Sequence, residues 1–243
     1  MRIPRFYCPE LDINNDVIAL PDAAHRHAVQ VLRLKPGALI RLFDGRGLEY
    51  DAVLEQVSKR DSSVRLGDNI KINNESPLNI TLLQGVSRGE RMDYALQKAV
   101  ELGVARIIPV VTERCNVQLA GGRAEKRLAH WRGVMISACE QSGRSVLPEL
   151  MDVMALEQAL EIDIKACCLV LDPHAETGLT SQTRQDNIVL LIGPEGGLSE
   201  QEVRQAITAG FQAIKFGPRI LRTETATVAV LAAVQTLWGD LSD

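Results

Sequence analysis

The pattern of apolar and polar positions changes rhythm near residue 73. Before it, "ALIRLFD" (38–44), "LEYDAVLEQVS" (48–58) and "VRLGDNIKI" (64–72) alternate in character, separated by turn-formers such as Pro36-Gly37 and Asp44-Gly45. A period of two predicts half-buried strands joined by tight turns, so residues 1–72 read as a small β-barrel or sandwich. One helix is predicted within it at Asp22–Leu34, where Ala23, His27, Val31 and Leu34 recur at helical spacing behind Asp22 as cap.

"NNESP" (73–77) is polar, ends in proline and divides this part from the rest. Beyond it, apolar segments alternate with longer helical patterns. The strands are "LNITLLQGV" (78–86), "RIIPVVT" (106–112), "ACCLVLD" (166–172), "NIVLLIG" (187–193) and "AIKFG" (213–217). The helices fall near 90–102, near 123–142, from 200, and near 224–237. Such alternation predicts a parallel sheet covered by helices on both faces, an α/β domain over 73–243. The last helix is apolar on nearly all sides, through Ala226, Ala229, Val230, Ala232 and Ala233, which fits either a subunit interface or packing inside one domain.

Charge refines this picture. The chain carries a net charge of -4 over 243 residues, which argues against coating nucleic acid by bulk charge. The distribution is uneven, with 11 basic against 10 acidic residues in 1–72 and 16 against 21 beyond. Arg2, Arg5, Arg26, Arg33, Lys35, Arg41 and Arg46 crowd the first part, as phosphate contacts for RNA or as a merely solvated basic face. The five cysteines (8, 115, 139, 167, 168) lack CxxC spacing and the four histidines (25, 27, 130, 174) do not cluster with them. Neither disulfides nor a metal site is expected, and buried small hydrophobes are the simplest role for the thiols. With no signal-peptide core in "MRIPRFYCPE" and no membrane-length apolar run, the expected location is the cytoplasm.

"LLIGPEGGLSEQE" (190–202) carries the most distinctive chemistry: a strand, a glycine turn and a helix start. That order usually marks a phosphate site, because backbone N–H groups and the helix dipole attract anions. GPEGG fits neither phosphate-loop pattern, however, and Glu195 puts negative charge where a phosphate would sit. A ligand with a flat ring and a positive centre, as in S-adenosylmethionine, removes the conflict; a tight turn with no ligand is the alternative. Ser199 and Glu202 form an S-x-x-E capping box behind the loop. "FGPRILRTETA" (216–226), with Thr223 as the expected cap of the last helix, and "LVLDPHAE" (169–176) also end strands, so three loops can meet at one sheet edge.

These residues resemble the ribosomal RNA small subunit methyltransferase E family of the knotted SPOUT class. The resemblance spans the chain through "MRIPRFY", "SRGERMDYALQKAVELGV" (87–104), "ERC" (113–115), "ACEQSGR" (138–144), GPEGG and "GPRILRTETA". It implies an N-terminal PUA-like RNA-binding β-barrel (1–72) and a C-terminal SPOUT domain (73–243) with a deep trefoil knot, working as a homodimer. It implies S-adenosylmethionine held by Leu171 and Pro173, by Ile192, Gly193, Glu195, Gly196, Gly197 and Leu198, and by Phe216, Gly217, Pro218, Ile220 and Leu221. Family members methylate N3 of a uridine at the decoding centre of 16S rRNA in the 30S subunit. That chemistry needs a base for the N3 proton and a cation for the charge that follows. Arg222, then Arg219, are the expected cations; Glu224, Glu195 and Glu140, in falling order, are the candidate bases. Arg88, Arg91, Lys98 and Arg144 join Arg2, Arg5, Arg26 and Arg33 as candidate RNA contacts. The competing readings are an RNA-binding module with an idle pocket, and a small-molecule α/β enzyme using a nucleotide. Intact GPEGG and RILRTETA disfavour the first and Glu195 the second.

Overall fold

The computed structural model describes residues 3–71, 74–117, 122–162 and 165–242. These form two compact units, 1–75 with 139–147, and 76–138 with 148–243.

In the first unit, strands Arg5–Tyr7 (β1), Val17–Ala19 (β2), Leu39–Phe43 (β3), Glu49–Val57 (β4) and Ser62–Asn69 (β5) make one sheet in the order β1-β3-β4-β5-β2. β1 lies parallel to β3 and the other pairs are antiparallel. β1 and β2 escape the period-two pattern because three residues are too few to alternate. Register shifts between Tyr50 and Ala52 and between Leu54 and Gln56 bend the β4–β5 pair, as bulges do. The inner face packs Phe6, Ile40, Leu42, Leu54 and Val64 with Leu20, Ala24 and Ala28.

The predicted helix forms, but differently. Asp22–His25 (α1) is α-helical and Arg26–Val31 continues it as a π-helix. Asp22 does not cap it: Pro21 occupies the cap position, and its carbonyl accepts from the His25 N–H.

Residues 139–147, assigned by the sequence pattern to the second part, pack in the first unit. The reason is Arg5, which is 7% exposed. Its guanidinium donates to the carbonyls of Cys139 (2.6 Å) and Arg144 (3.0 Å), to Ser145 Oγ (3.3 Å) and to both Glu49 oxygens. Ser145 Oγ donates to Glu49 Oε2 at 2.6 Å, and Arg144 holds Glu75 through two bonds. Burial pushes the Glu49 carboxyl up, but the Arg5 and Ser145 hydrogen bonds and the charges of Arg5 and Arg41 outweigh it and leave it below the usual range.

In the second unit the strands are Asn79–Gly85 (β6), Arg106–Val111 (β7), Glu149–Leu150 (β8), Met154–Ala155 (β9), Cys167–Leu171 (β10), Asn187–Ile192 (β11) and Gln212–Ile214 (β12). All pair in parallel, in the order β12-β10-β11-β6-β7-β8, with β9 also on β7. Ile80 to Ser87 are buried without interruption, so both faces of the central strand are covered. One face packs Leu83, Ile108, Val110, Val170, Val189 and Leu191 with Leu156 and Ala159 of Leu156–Leu160 (α4) and Ala206 of Glu200–Thr208 (α5). Glu90–Glu101 (α2) packs on Thr223–Trp238 (α6); Arg123–Ser142 (α3) completes the helices. Among the described residues, no helix is long and apolar enough to cross a membrane, and no group of three or more metal-ligating side chains gathers.

Candidate active site

Parallel strands end at a common edge, and in such sheets ligands bind outside the carboxyl ends. The chain leaves that edge at Leu171, Ile192 and Ile214, the ends of three adjoining strands. The loops that follow, with the start of α6, enclose a cleft of about 330 Å³. Leu171, Ile192, Leu198, Phe216, Ile220, Leu221 and Ala226 give it apolar walls, and backbone from Gly193 to Gly197 runs along it. Of the thirteen positions expected to hold a cofactor, only Pro218 is not in the lining.

GPEGG crosses the end of β6 so closely that a Cβ on Gly85 would overlap the backbone nitrogen of Pro194. Two charged side chains then fix the loop from outside. Glu195 Oε1 accepts from the Arg88 N–H (2.9 Å) and from Arg91 Nη1 (3.2 Å). Partial burial pushes its carboxyl up, but hydrogen bonds from the Arg88 N–H, its own N–H and Arg91 prevail and hold it below the ordinary value. Its charge is already answered within the protein, by the Arg88 N–H and Arg91.

Arg114, from the turn after β7, supplies the second hold by donating to the carbonyls of Gly196 (3.1 Å) and Leu198 (3.4 Å). A Cβ on Gly196 would sit 2.8 Å from Arg114 Cβ, so only glycine lets the loop press this close. Behind it the capping box forms as expected, Ser199 Oγ accepting from the Glu202 N–H and Glu202 Oε2 from the Ser199 N–H. The other Glu202 oxygen accepts from the Glu113 N–H at 2.7 Å, tying the Glu113–Arg114 turn to α5. A fourth strand end therefore shapes the cleft.

At α6, Arg222 rather than Thr223 is the cap residue; Thr223 opens the helix, and its hydroxyl donates to the Gly193 carbonyl at 2.7 Å. Arg222 is exposed and outside the lining, whereas Arg219 lines the cleft. Glu224, in the first turn, has a buried Oε2 with no protein partner among the described residues.

An RNA methyltransferase domain family matches residues 74–235, and an RNA methyltransferase PUA domain family matches residues 20–67. The ribosomal RNA small subunit methyltransferase E of Buchnera aphidicola from Schizaphis graminum is 37% identical over 247 residues, covering 99% of both chains. The chain belongs to this family. A crystal structure of the Neisseria gonorrhoeae member bound to S-adenosyl methionine aligns with TM-score 0.92 and 45% identity over 99% of this chain and 100% of that one. A Legionella pneumophila methyltransferase in complex with the same cofactor aligns with TM-score 0.96 and 38% identity, again over 99% and 100%.

Against that family background, the expected RNA contacts divide. Arg26, Arg33, Arg88 and Arg91 are exposed, although Arg88 Nε bonds the Asn116 carbonyl (3.1 Å) and Arg91 is shared with Glu195. Arg5 and Arg144 are corrected: both are buried, spent on Glu49 and Glu75, and not presented to phosphate. Lys98 pairs with Glu101, and Arg2 lies outside the described residues. Glu140 accepts from the Tyr7 N–H at 3.1 Å and stands 3.4 Å from His27. Burial raises its pKa in spite of these partners. All five cysteines are free; burial pushes the Cys8 thiol up to about 11 and that of Cys139 to about 12, which makes both poor nucleophiles.

Beyond the expected positions, Arg114, His174, Val203, Ile214, Thr223 and Ala226 also line the cleft. For Arg114 the signal was present in "ERC", which follows a fourth apolar strand; it lacked the glycines that mark the other loops.

Proposed function

We propose that this protein is an S-adenosylmethionine-dependent methyltransferase that modifies N3 of a uridine at the decoding centre of 16S rRNA in the 30S subunit. The observation that carries this reading is the convergence of the three strand-end loops, quoted above for their family resemblance, on a single cleft. Its volume falls at the lower end of the roughly 300–1,000 Å³ usual for ligand pockets. Apolar walls at Leu171, Ile192, Phe216 and Ile220 suit an adenine ring, and the glycine backbone at 193–197 offers N–H and C=O groups to its edge. The bound donor would supply a methyl group carried on a positively charged sulfur. The Neisseria gonorrhoeae and Legionella pneumophila structures, both with that donor bound, support the assignment.

This chain's part is to handle the proton and charge of the uracil. Removing the N3 proton leaves negative charge on the two flanking carbonyls, and the reading assigns Arg222 and then Arg219 to balance it. Glu224 is the preferred proton acceptor, since one of its oxygens has no competing donor among the described residues. Glu195 and Glu140 already accept hydrogen bonds from the protein and rank below it.

The first unit, as a PUA-like barrel, is assigned to RNA through Arg26 and Arg33, both exposed. A deep trefoil knot in the second unit belongs to the same reading. It is supported by the path of the chain, which runs out to β12 at the sheet edge and returns as α6 to pack on α2 and β11. A cytoplasmic homodimer also belongs to it, supported by the half-buried Ala229, Ala232 and Ala233 and the exposed Leu237 of α6.

The deciding experiment is transfer of labelled methyl from S-adenosylmethionine to 30S subunits lacking the modification, with the product base identified by mass. A 3-methyluridine at the decoding centre is expected. Transfer to another base or another RNA would overturn the assignment.

A further inference from the structure

A polar chain runs beneath the cleft, inside the sheet. Gln84 lies in β6 and is fully buried, as is Thr227, one turn into α6. Thr227 Oγ1 lies 2.7 Å from Gln84 Oε1 and 2.9 Å from the Thr223 carbonyl, and its one hydroxyl proton serves these two acceptors. Gln84 Nε2 donates to Thr223 Oγ1 (3.1 Å) and to the Gly85 carbonyl (3.3 Å). Thr223 in turn gives its one hydroxyl proton to the Gly193 carbonyl, 2.7 Å away.

The direction of the part from Gln84 through Thr223 to Gly193 is forced. Gly85 and Gly193 offer only carbonyl acceptors, so the donors must point toward them. Flipping the Gln84 amide would set its oxygen against the Gly85 carbonyl and claim the Thr223 proton from Gly193. A long polar side chain in the middle of a buried parallel strand costs stability unless every group is paired, and here each is. The outcome is that Gln84, without touching the cleft, ties two of its walls, the GPEGG loop at Gly193 and the α6 start at Thr223.

We propose that Gln84, held in orientation by Thr227, is a positioning residue that sets the spacing of the donor cleft. The proposal rests on the preceding assignment of that cleft to S-adenosylmethionine. Isosteric loss of the amide, Gln84→Met, frees Thr223 to turn away from Gly193; Thr227→Val leaves Gln84 Oε1 without its donor, and Thr227→Ser keeps that donor.

The test compares these full-length variants with wild type by calorimetric titration with S-adenosylmethionine, steady-state kinetics on 30S subunits, and thermal melting without ligand. Gln84→Met and Thr227→Val are expected to raise both Kd and KM for the donor by about tenfold, with kcat within about twofold of wild type. Thr227→Ser is expected to restore wild-type affinity. A merely structural role would lower the melting temperature while the folded variants bind donor as wild type does, and that result overturns the proposal. Should Gln84→Met not fold, the Thr227→Val and Thr227→Ser pair decides alone, equal donor affinity in the two refuting it. If wild type itself takes up no donor, the cofactor assignment fails first and this inference falls with it.

Discussion

Glu195 shows how one side chain serves architecture and electrostatics together. Its carboxylate is held ionised by the Arg88 N–H and Arg91, so its contribution to stability is complete above the ordinary glutamate pKa of about 4.3 and lost as pH falls through the depressed folded value. Glu195→Gln is therefore expected to lower the melting temperature by a constant amount near neutrality, the gap closing as pH falls below the ordinary glutamate range. The gap will be small, because Arg91 is half exposed and such pairs contribute under about 1 kcal/mol. Melts across that range check it; a gap that persists unchanged in acid would exclude the ionic tie. Arg222 makes a different demand. It is exposed and outside the cleft lining, so Arg222→Ala is expected to leave donor affinity intact while cutting transfer by about 10²–10³-fold. Full transfer in that variant would remove Arg222 from the chemistry. Glycine-marked positions around the cleft were legible in the sequence because Gly193, Gly196 and Gly197 stand out after an apolar run. For Arg114 only its place after an apolar strand was legible, since nothing local tells that its guanidinium reaches carbonyls at 196 and 198.

Among the elements, the sheet edge is where sequence and structure agree best. Long apolar runs such as 187–193 must be strands buried on both faces, and their parallel pairing brings three loops together. Helix starts were legible only where the cap is local. Ser199 and Glu202 satisfy each other three residues apart, whereas the Thr223 hydroxyl is drawn away by Gly193, thirty residues upstream in sequence. The two glycine-loop anchors are expected to separate experimentally. Ser199→Ala loses a cap, costing about 1 kcal/mol in urea unfolding with little change in donor affinity, since Glu202 still holds Glu113. Gly85→Ala must push Pro194 outward, costing about 1–3 kcal/mol and weakening donor binding as well. Unaltered binding in Gly85→Ala would show that the loop can retreat without deforming the cleft.

At the scale of the whole molecule, Arg5 links residues that no sequence window could connect. It holds Glu49, 44 positions away, together with the Cys139 and Arg144 carbonyls, 134 and 139 positions away, which is why an arginine that looked like an RNA contact is a buried tie. Arg5→Ala would leave Glu49, whose side chain is 1% exposed, with only Ser145 Oγ and the more distant Arg41 (3.9 Å) as partners, at a cost of up to about 3–5 kcal/mol in chemical denaturation. A loss near zero would mean that water reaches Glu49 in solution. The same tie orders events during synthesis. The N-terminal unit lacks its closing segment until 72 further residues after Glu75 have been polymerised, a wait of roughly 4–14 s at usual elongation speeds. Stalled nascent chains ending shortly after residue 75 are expected to be cut freely by protease, and those long enough to release residue 147 from the exit tunnel to resist it. The first unit thus comes of age only after residues 76–138 of the second have been translated.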